Sequence, residues 1–154
     1  MKVSLAGGTL SIRAVRAWNV LDLWFLRRLK NQTSREAMAD GLCVTWSEHM
    51  RWWWRGGWRH AWVAVMSGRR AGYVRYDERA LVSIAVSAWA RHCGVAMALL
   101  RQVQGRSVRP LVARVVHTNA ASLSLFRQAG WIVVPFGGAT TSFIERRYTG
   151  RAAR

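Results

Sequence analysis

The segment IAVSAWARHCGVAM, residues 84–97, has residue types and spacing that could bind a phosphate group. An apolar run that reads as a strand leads into a short loop, and Gly94 and Ala96 stand where a helix is predicted to begin. Such small residues let a ligand approach the backbone closely. The first turn of a helix also carries unpaired N–H groups at its positive end. The segment therefore predicts a pyrophosphate site.

A second segment, WSEHMRWWWR, residues 46–55, combines rings with positive charge. As a helix, this segment would have one face that is expected to pack in the core, formed by Trp46, Met50, Trp53 and Trp54. His49 and Trp52 would lie on the neighbouring face, with Arg55 one step further. A stacking ring, an imidazole and a guanidinium would suit a nucleotide-linked ligand. A helix-packing role for His49 is the alternative.

The phosphate segment has the pattern Arg-x-x-Gly-x-Ala after Ile-Ala-Val, which resembles motif A of the GCN5-related N-acetyltransferase (GNAT) superfamily. Further along, NAASLSLFRQAGW (119–131) is similar to that superfamily's Asn-x-x-Ser-x-x-Leu-(Tyr/Phe)-x-x-x-Gly-(Phe/Trp) segment. Both occur in the family's order, and the resemblance extends over about residues 9–148. It implies an enzyme that transfers acetyl from acetyl-coenzyme A to a primary amine by direct attack in a ternary complex. A generic βαβ crossover is the alternative interpretation.

The resemblance also implies roles for individual residues. The backbone of residues 84–86 would pair with the pantetheine arm like an extra strand, and an N–H near Val86 would stabilise the oxyanion. Asn119 would contact the cofactor, and Ser122 and Phe126 would border its thiol end. The complete set of expected cofactor-binding residues is Ile84, Ala85, Val86, Arg91, His92, Cys93, Gly94, Val95, Ala96, Met97, Asn119, Ser122 and Phe126.

Two positions depart from the family pattern. Many members have a tyrosine, which protonates the leaving thiolate, where this chain has Phe126. Some branches place a glutamate base where Arg114 stands. Water would then relay the protons, or a side chain such as His49, Tyr73 or Tyr148 would serve. We take Val86, His49 and Tyr148 as the catalytic candidates.

For the acceptor, residues 29–53 are similar to one branch that acetylates nucleotide-linked amino sugars, as in pseudaminic acid synthesis. The expected acceptor-binding residues are Asn31, Arg35, His49, Trp52 and Arg55. The predicted acceptor is therefore a nucleotide-linked amino sugar or another small anionic amine. The alternatives are an amine carried by nucleic acid or by a nucleic-acid-bound protein, and a catalytically weakened nucleic-acid binder with this fold.

Hydrophobic periodicity predicts the elements that would position these residues. The predicted helices are 17–29, 47–55 with Ser47 as its cap, 95–104 and 122–129, while 31–41 would be a loop or short helix. The predicted strands are 9–15, 60–66, 71–76, 81–86, 110–116, 131–134 and 141–148. We therefore expect one α/β domain over residues 1–154: a mixed, mostly antiparallel sheet of about six or seven strands flanked by helices.

The net charge of +17 indicates an anionic partner such as nucleic acid, a membrane surface or a phosphorylated molecule. Codon bias would explain arginine over lysine, but not the presence of only seven acidic residues. No apolar run would span a bilayer, and no signal-peptide pattern occurs, so we expect a cytoplasmic protein. Cys43 and Cys93 form no metal-ligand pattern and are interpreted as reduced thiols, and no metal is expected. A homodimer is left open.

Overall fold

The computed structural model describes the backbone of residues 2–5, 8–37, 43–134, 138 and 140–145, and the side chains of residues 8–33, 43–134, 138 and 140–145. The strands are β1 Lys2–Leu5, β2 Gly8–Ala14, β3 Ala61–Met66, β4 Arg69–Tyr76, β5 Val82–Val86, β6 Val112–Val116, β7 Ile132–Val134 and β8 Thr140–Ile144. The helices are α1 Val20–Ala37, α2 Trp46–Trp54, α3 Val95–Val103 and α4 Ala120–Gln128. No helix in these ranges is long and apolar enough to cross a bilayer.

The strands form two antiparallel sheets that meet at one point. The first sheet has the order β1-β2-β3-β4-β5 and the second the order β6-β8-β7. Among the described residues, a single parallel bridge between Leu81 and Val112 joins β5 to β6. No further pairing joins β5 to β6 in the described part of the chain, and we call the unpaired edge between them the gap between the sheets. The predicted mixed α/β class is confirmed, but the described strands number eight because β1 forms a hairpin with β2.

The first sheet is covered on both faces, which explains the continuous apolar run of β3. Because side chains alternate along a strand, Trp62, Ala64 and Met66 join the core cluster that contains α3. Ala61 and Val63 join the other cluster, which contains α1 and α2. Helix α3 therefore lies on one face of the sheet, and helices α1 and α2 lie on the other.

Helix α1 continues through residues that the sequence predicted as a loop or short helix. It starts after Asn19, whose Oδ1 accepts a hydrogen bond from the Asp22 N–H at 3.2 Å. Polar side chains within the helix find partners, since Thr33 Oγ1 donates to the Leu29 carbonyl at 2.9 Å. The polar composition of residues 31–37 therefore does not end the helix.

A buried carboxylate attaches the start of α1 to the sheet. Asp22 is fully buried and accepts hydrogen bonds from Arg13 of β2 at 2.6 and 2.7 Å and from Arg70 of β4 at 2.9 Å. Burial alone would raise the pKa of Asp22, but the two guanidinium groups outweigh it and hold the pKa below its ordinary value. The carboxylate thus stays charged and fixes α1 across β2 and β4.

Candidate active site

The backbone of β5 presents alternate residues to its two edges. At its C-terminal end the Ser87 N–H donates to the Ala71 carbonyl at 2.8 Å, on the side of β4. Before its N-terminal end the Ala80 carbonyl accepts from the Val112 N–H at 2.9 Å, on the side of β6. Even-numbered residues of β5 therefore turn their backbone groups toward the gap between the sheets.

This alternation divides the three residues that were expected to pair with a pantetheine arm. Ile84 and Val86 turn their N–H and C=O groups toward the gap, as the prediction requires. Ala85 turns its groups toward β4, where it is paired with Tyr73. The prediction for the Ala85 backbone is therefore wrong, because its polar groups belong to the sheet.

The loop between β5 and α3 forms a backbone cradle. His92 has φ +63° and Gly94 has φ +78°, so both adopt the left-handed conformation. This conformation is uncommon for a residue other than glycine. The first α3 hydrogen bond shown runs from the Ala98 N–H to the Gly94 carbonyl at 3.1 Å. The amide N–H groups of Val95, Ala96 and Met97 therefore have no acceptor within their own helix.

The surroundings of the cradle suit an anion. Gly94 provides no side-chain cap for α3. Arg91 and His92 are exposed beside it, whereas Cys93 is half-buried and its Sγ lies 3.5 Å from the Arg91 carbonyl oxygen. No aspartate or glutamate occurs between residues 79 and 144. Backbone donors at a helix start, in a stretch of sequence without acids, are the donor set that a pyrophosphate requires.

The second expected cofactor segment, at α4, has a largely structural geometry. Asn119 caps the helix, since its Oδ1 accepts from the Ser122 N–H at 3.1 Å, and the Ser122 side chain is half-buried. Phe126 is only 2% exposed. Its ring packs against Trp131 and Phe143 at centroid distances of 4.9 and 5.4 Å. Phe126 is therefore a core residue, and its expected place beside the thiol end of the cofactor stays a prediction.

A pocket of about 190 Å³ lies between α1, α2 and β4. It is lined by Leu26, Lys30, Val44, His49, Trp52, Tyr73 and Arg75. No acidic side chain is among these described lining residues, although two of them carry positive charge. We call this cavity the α1–β4 pocket.

His49 is buried in the wall of the α1–β4 pocket and is held as the neutral imidazole. Its Nε2 lies 2.8 Å from the Leu23 carbonyl oxygen, and a carbonyl can only accept, so Nε2 carries the proton. Burial lowers the pKa of His49, the bond to Leu23 opposes that effect, and the charges of Arg75 and Arg27 lower the pKa further. The neutral ring leaves its Nδ1 lone pair as a proton acceptor.

Trp52 forms a wall of the pocket together with its neighbours. Its ring stacks on His49 with centroids 5.3 Å apart, and the Arg75 guanidinium lies 4.9 Å from its centroid. Gly57 packs so closely that an added Cβ would lie 2.0 Å from the indole Nε1. The predicted pairing of His49 with Trp52 is present, but the Trp52 ring already contacts side chains of the protein and does not lie open for a nucleobase to stack on.

The helical phase of α2 differs from the predicted one. His49 and Trp53 are its buried residues, while Trp54 is 80% exposed and Trp46 is exposed as well. Trp53 fits the core because its Nε1 also donates to the Ala17 carbonyl at 3.1 Å. Hydrophobicity alone placed the other two tryptophans inside, whereas the two buried side chains are the ones that bond to the backbone of Leu23 and Ala17. Thr45 rather than the expected Ser47 caps the helix, in a capping box with Glu48.

Two other expected acceptor residues lie outside the pocket lining. Asn31 uses its side-chain amide on the backbone of Val44, accepting from its N–H at 2.8 Å and donating to its carbonyl at 3.0 Å. Asn31 therefore positions the segment before α2. Arg55 is exposed at the end of α2. The side chain of Arg35 and all of Tyr148 lie outside the described residues.

Sequence reasoning missed Lys30 and Arg75 as pocket residues. Arg75 was detectable, since it stands two residues from Tyr73 in one strand and so shares its face. Lys30 stands beside Asn31 in the segment that resembles the amino-sugar branch, but its place in the pocket depends on how α1 crosses the sheet. Arg114, which stands where some relatives have a base, is exposed on β6.

A larger open groove lies beside the loop between β5 and α3, residues 87–94, which we call the donor loop. It has a volume of about 690 Å³ and is lined by Trp24, Arg27, Arg28, Leu29, Asn31, Gln32, Thr33, Ala88 and Arg91. Three arginines and no acidic residue are among these described lining residues. We call it the arginine groove.

Comparison with known proteins agrees with this geometry. The sequence profile of the acetyltransferase (GNAT) family matches residues 23–131, more than half of the chain. No curated protein matches the chain significantly.

Solved structures share the fold along most of the chain. The GNAT domain of S. lividans PAT is 21% identical with a TM-score of 0.73, and 94% of each chain is covered. A GNAT superfamily phosphinothricin acetyltransferase from Sinorhizobium meliloti, in complex with acetyl-CoA, is 22% identical with a TM-score of 0.71, covering 89% of this chain and 87% of that one.

A third similar structure is a ribosomal-protein-alanine N-acetyltransferase from Brucella melitensis. It is 24% identical with a TM-score of 0.67, covering 87% of this chain and 96% of that one. The predictions of superfamily, fold class, activity and cofactor are thereby confirmed. The chain belongs to the acetyltransferase (GNAT) family and is an N-acetyltransferase that uses acetyl-CoA.

Proposed function

We propose that this enzyme acetylates the primary amine of a small anionic acceptor bound in the α1–β4 pocket. The observation that carries the proposal is the pocket lining: Lys30 and Arg75 line it together with the neutral His49, and no acid is among the described lining residues. Two cations would attract a carboxylate or phosphate on the acceptor and would disfavour an acceptor with excess positive charge.

The volume of the pocket limits the acceptor. About 190 Å³ is below the roughly 300–1,000 Å³ of pockets that hold drug-sized ligands. A small amine fits entirely. A nucleotide-linked amino sugar would place only its amine end there, and its phosphates would bind Arg27 and Arg28 in the arginine groove. We therefore rank the compact acceptor first.

The chain's own groups explain how the donor would be held. The Val95, Ala96 and Met97 amides at the start of α3 would bind the pyrophosphate, while Ile84 and Val86 would pair along the gap between the sheets. The bound cofactor supplies a thioester carbonyl. The Val86 N–H, already directed into that gap, would stabilise negative charge on the carbonyl oxygen during attack.

His49 would accept the proton of the attacking amine. The bond from its Nε2 to Leu23 fixes the tautomer, so Nδ1 is the basic atom. Its lowered pKa keeps the ring deprotonated at neutral pH. Such a base typically contributes about 10²–10⁴-fold. Phe126 cannot protonate the leaving thiolate, so we assign that step to water.

The test is acetyl-CoA turnover with amines of similar size that are anionic, neutral or cationic. We expect the anionic amines to react best. Arg75→Gln should lower kcat/KM for anionic amines by roughly 10- to 100-fold, the usual value of a hydrogen bond to a charged group, and should affect neutral amines little. Arg79→Gln, in an exposed turn, is the matched control. Equal loss for charged and neutral amines would refute the proposal.

A second candidate is an amine carried by nucleic acid, and the arginine groove beside the donor loop favours it. In that case turnover of a nucleic-acid-borne amine would fall steeply with salt. Arg28→Gln would lower it more than Arg75→Gln does. Small anionic amines would then be poor substrates.

A further inference from the structure

The first turn of α1 and the residue pair before it expose large apolar side chains. Trp18 is 75% exposed, Val20 69%, Leu21 64% and Trp24 48%. We call these four residues the α1 apolar patch. Single exposed apolar residues are ordinary, but a contiguous group marks an interaction surface.

The opposite face of α1 already supplies the core. Leu23, Leu26 and Leu29 are buried against the sheet, so the patch is additional apolar surface on the outer face. Its four residues have no role in the fold comparable to these leucines.

Two arginines lie beside the tryptophan rings of the patch. The Arg16 guanidinium lies 5.6 Å from the Trp18 ring centroid, and the Arg28 guanidinium lies 5.0 Å from that of Trp24. Asp22 is the acid nearest in sequence, but it is fully buried between two arginines. The patch therefore combines apolar side chains with positive charge that no described acid at this surface offsets.

Charge decides against a second copy as the occupant. Two chains that each carry +17 would bring their arginines together across such an interface, which costs Coulomb energy. The charge instead requires an anionic partner. Phospholipid bilayers and nucleic acids are the two large anionic surfaces to compare.

The aliphatic residues of the patch favour a phospholipid bilayer over nucleic acid. Single-stranded nucleic acid binds by stacking its bases on rings, and Val20 and Leu21 offer no ring. At a bilayer surface, aliphatic side chains insert among the acyl chains, tryptophan lies at the headgroup level and arginine binds anionic headgroups. We propose that the α1 apolar patch binds the surface of an anionic phospholipid bilayer.

This binding would leave the α1–β4 pocket accessible, whereas Trp24 also lines the arginine groove. The α1–β4 pocket is reached by Leu26 and Lys30 of the same helix, which lie on a different face from Val20 and Leu21. The inference does not depend on the proposed acceptor.

The experiment is co-sedimentation of the full chain with vesicles of phosphatidylcholine alone and of phosphatidylcholine mixed with phosphatidylglycerol. We expect binding to the mixed vesicles only. The double variant Trp18→Ser/Leu21→Ser should bind them at least about tenfold more weakly, because it removes two inserted apolar groups. Val108→Ser, at a residue 94% exposed elsewhere, should bind normally, and Arg16→Gln should bind more weakly.

Acetyl-CoA turnover and the thermal midpoint of the double variant should match those of the parent, since both residues are exposed and lie outside the site. If the double variant binds mixed vesicles as tightly as the parent, the patch has no role and the proposal fails. It also fails if the parent does not bind the mixed vesicles. Weaker binding of the double variant to a single-stranded oligonucleotide, or weaker self-association, would then assign the patch to nucleic acid or to a second copy instead.

Discussion

The donor half of this enzyme would bind its ligand through backbone groups, whereas the acceptor half would bind its ligand through side chains. The donor half, from β5 through α4, would hold its ligand with backbone amides at the start of α3 and along one edge of β5. The acceptor half, formed by α1, α2 and β4, presents side chains: His49 fixed by Leu23, Trp52 against Arg75, and Lys30. A site made of backbone groups depends on the conformation of the chain, whereas a site made of side chains depends on which residues are present.

Both halves keep their positive charge. The donor half has no acid between residues 79 and 144. In the acceptor half, Asp22 is enclosed by arginines and Glu48 binds Thr45 in the capping box. Neither of these two described acids lines the α1–β4 pocket, which is consistent with phosphates on one ligand and an anionic group on the other.

The sharpest test of this contrast is His49→Gln. Glutamine keeps an N–H that can reach Leu23 but lacks a base, so kcat should fall about 10²–10⁴-fold while the Kd for acetyl-CoA stays unchanged. Steady-state kinetics and cofactor calorimetry measure the two quantities. His60→Gln, at an exposed histidine, is the control. Loss of cofactor affinity together with kcat would contradict the separation of the halves.

Asp22→Asn should have the next largest effect. It leaves Arg13 and Arg70 facing each other without a carboxylate, and breaking a buried ion pair costs about 3–5 kcal/mol. We expect about 3 kcal/mol, because Arg13 and Arg70 are partly exposed. Urea unfolding measures the loss. A change below about 1 kcal/mol would show that α1 does not depend on this carboxylate.

Gly94→Val tests the donor half through conformation alone. A β-branched residue at φ +78° is strained by about 1–2 kcal/mol, so the loop should shift and the Kd for acetyl-CoA should rise about tenfold. Gly68→Val is the matched control, because Gly68 has the same φ of +78° in the β3–β4 turn and nothing lies within 4 Å of an added Cβ. Equal effects of both variants on cofactor affinity would remove the assignment of the cradle.

The smallest expected effect is on stability against pH. The pKa of His49 in the folded chain is lowered from 6.5. Below that pH the unfolded chain therefore binds a proton at this histidine more readily than the folded chain does. Stability should therefore decline as pH falls below about 6.5, by at most roughly 1.4 kcal/mol per pH unit from this group. Unfolding of the parent and of His49→Gln at several pH values measures it. Parallel curves would show that His49 does not contribute.

Local pattern was sufficient for much of the donor half. The helix start at Val95 followed from small residues after a buried strand, and backbone sites need little else. The pattern failed for Ala85, because the edge that a strand residue faces depends on pairing with β4. It also did not indicate how deeply Phe126 is buried, because that burial depends on Trp131 and Phe143 from later in the chain.

The sequence by itself determined the family, the alternation of elements and the excess of positive charge, since these depend on local motifs and composition. The tertiary structure alone decided the rotation of α2, the placement of Lys30 beside Arg75, and the neutral state of His49. Each of these depends on groups far apart in sequence, such as the Leu23 carbonyl opposite His49. Periodicity in one helix contains no information about which carbonyl another helix will present.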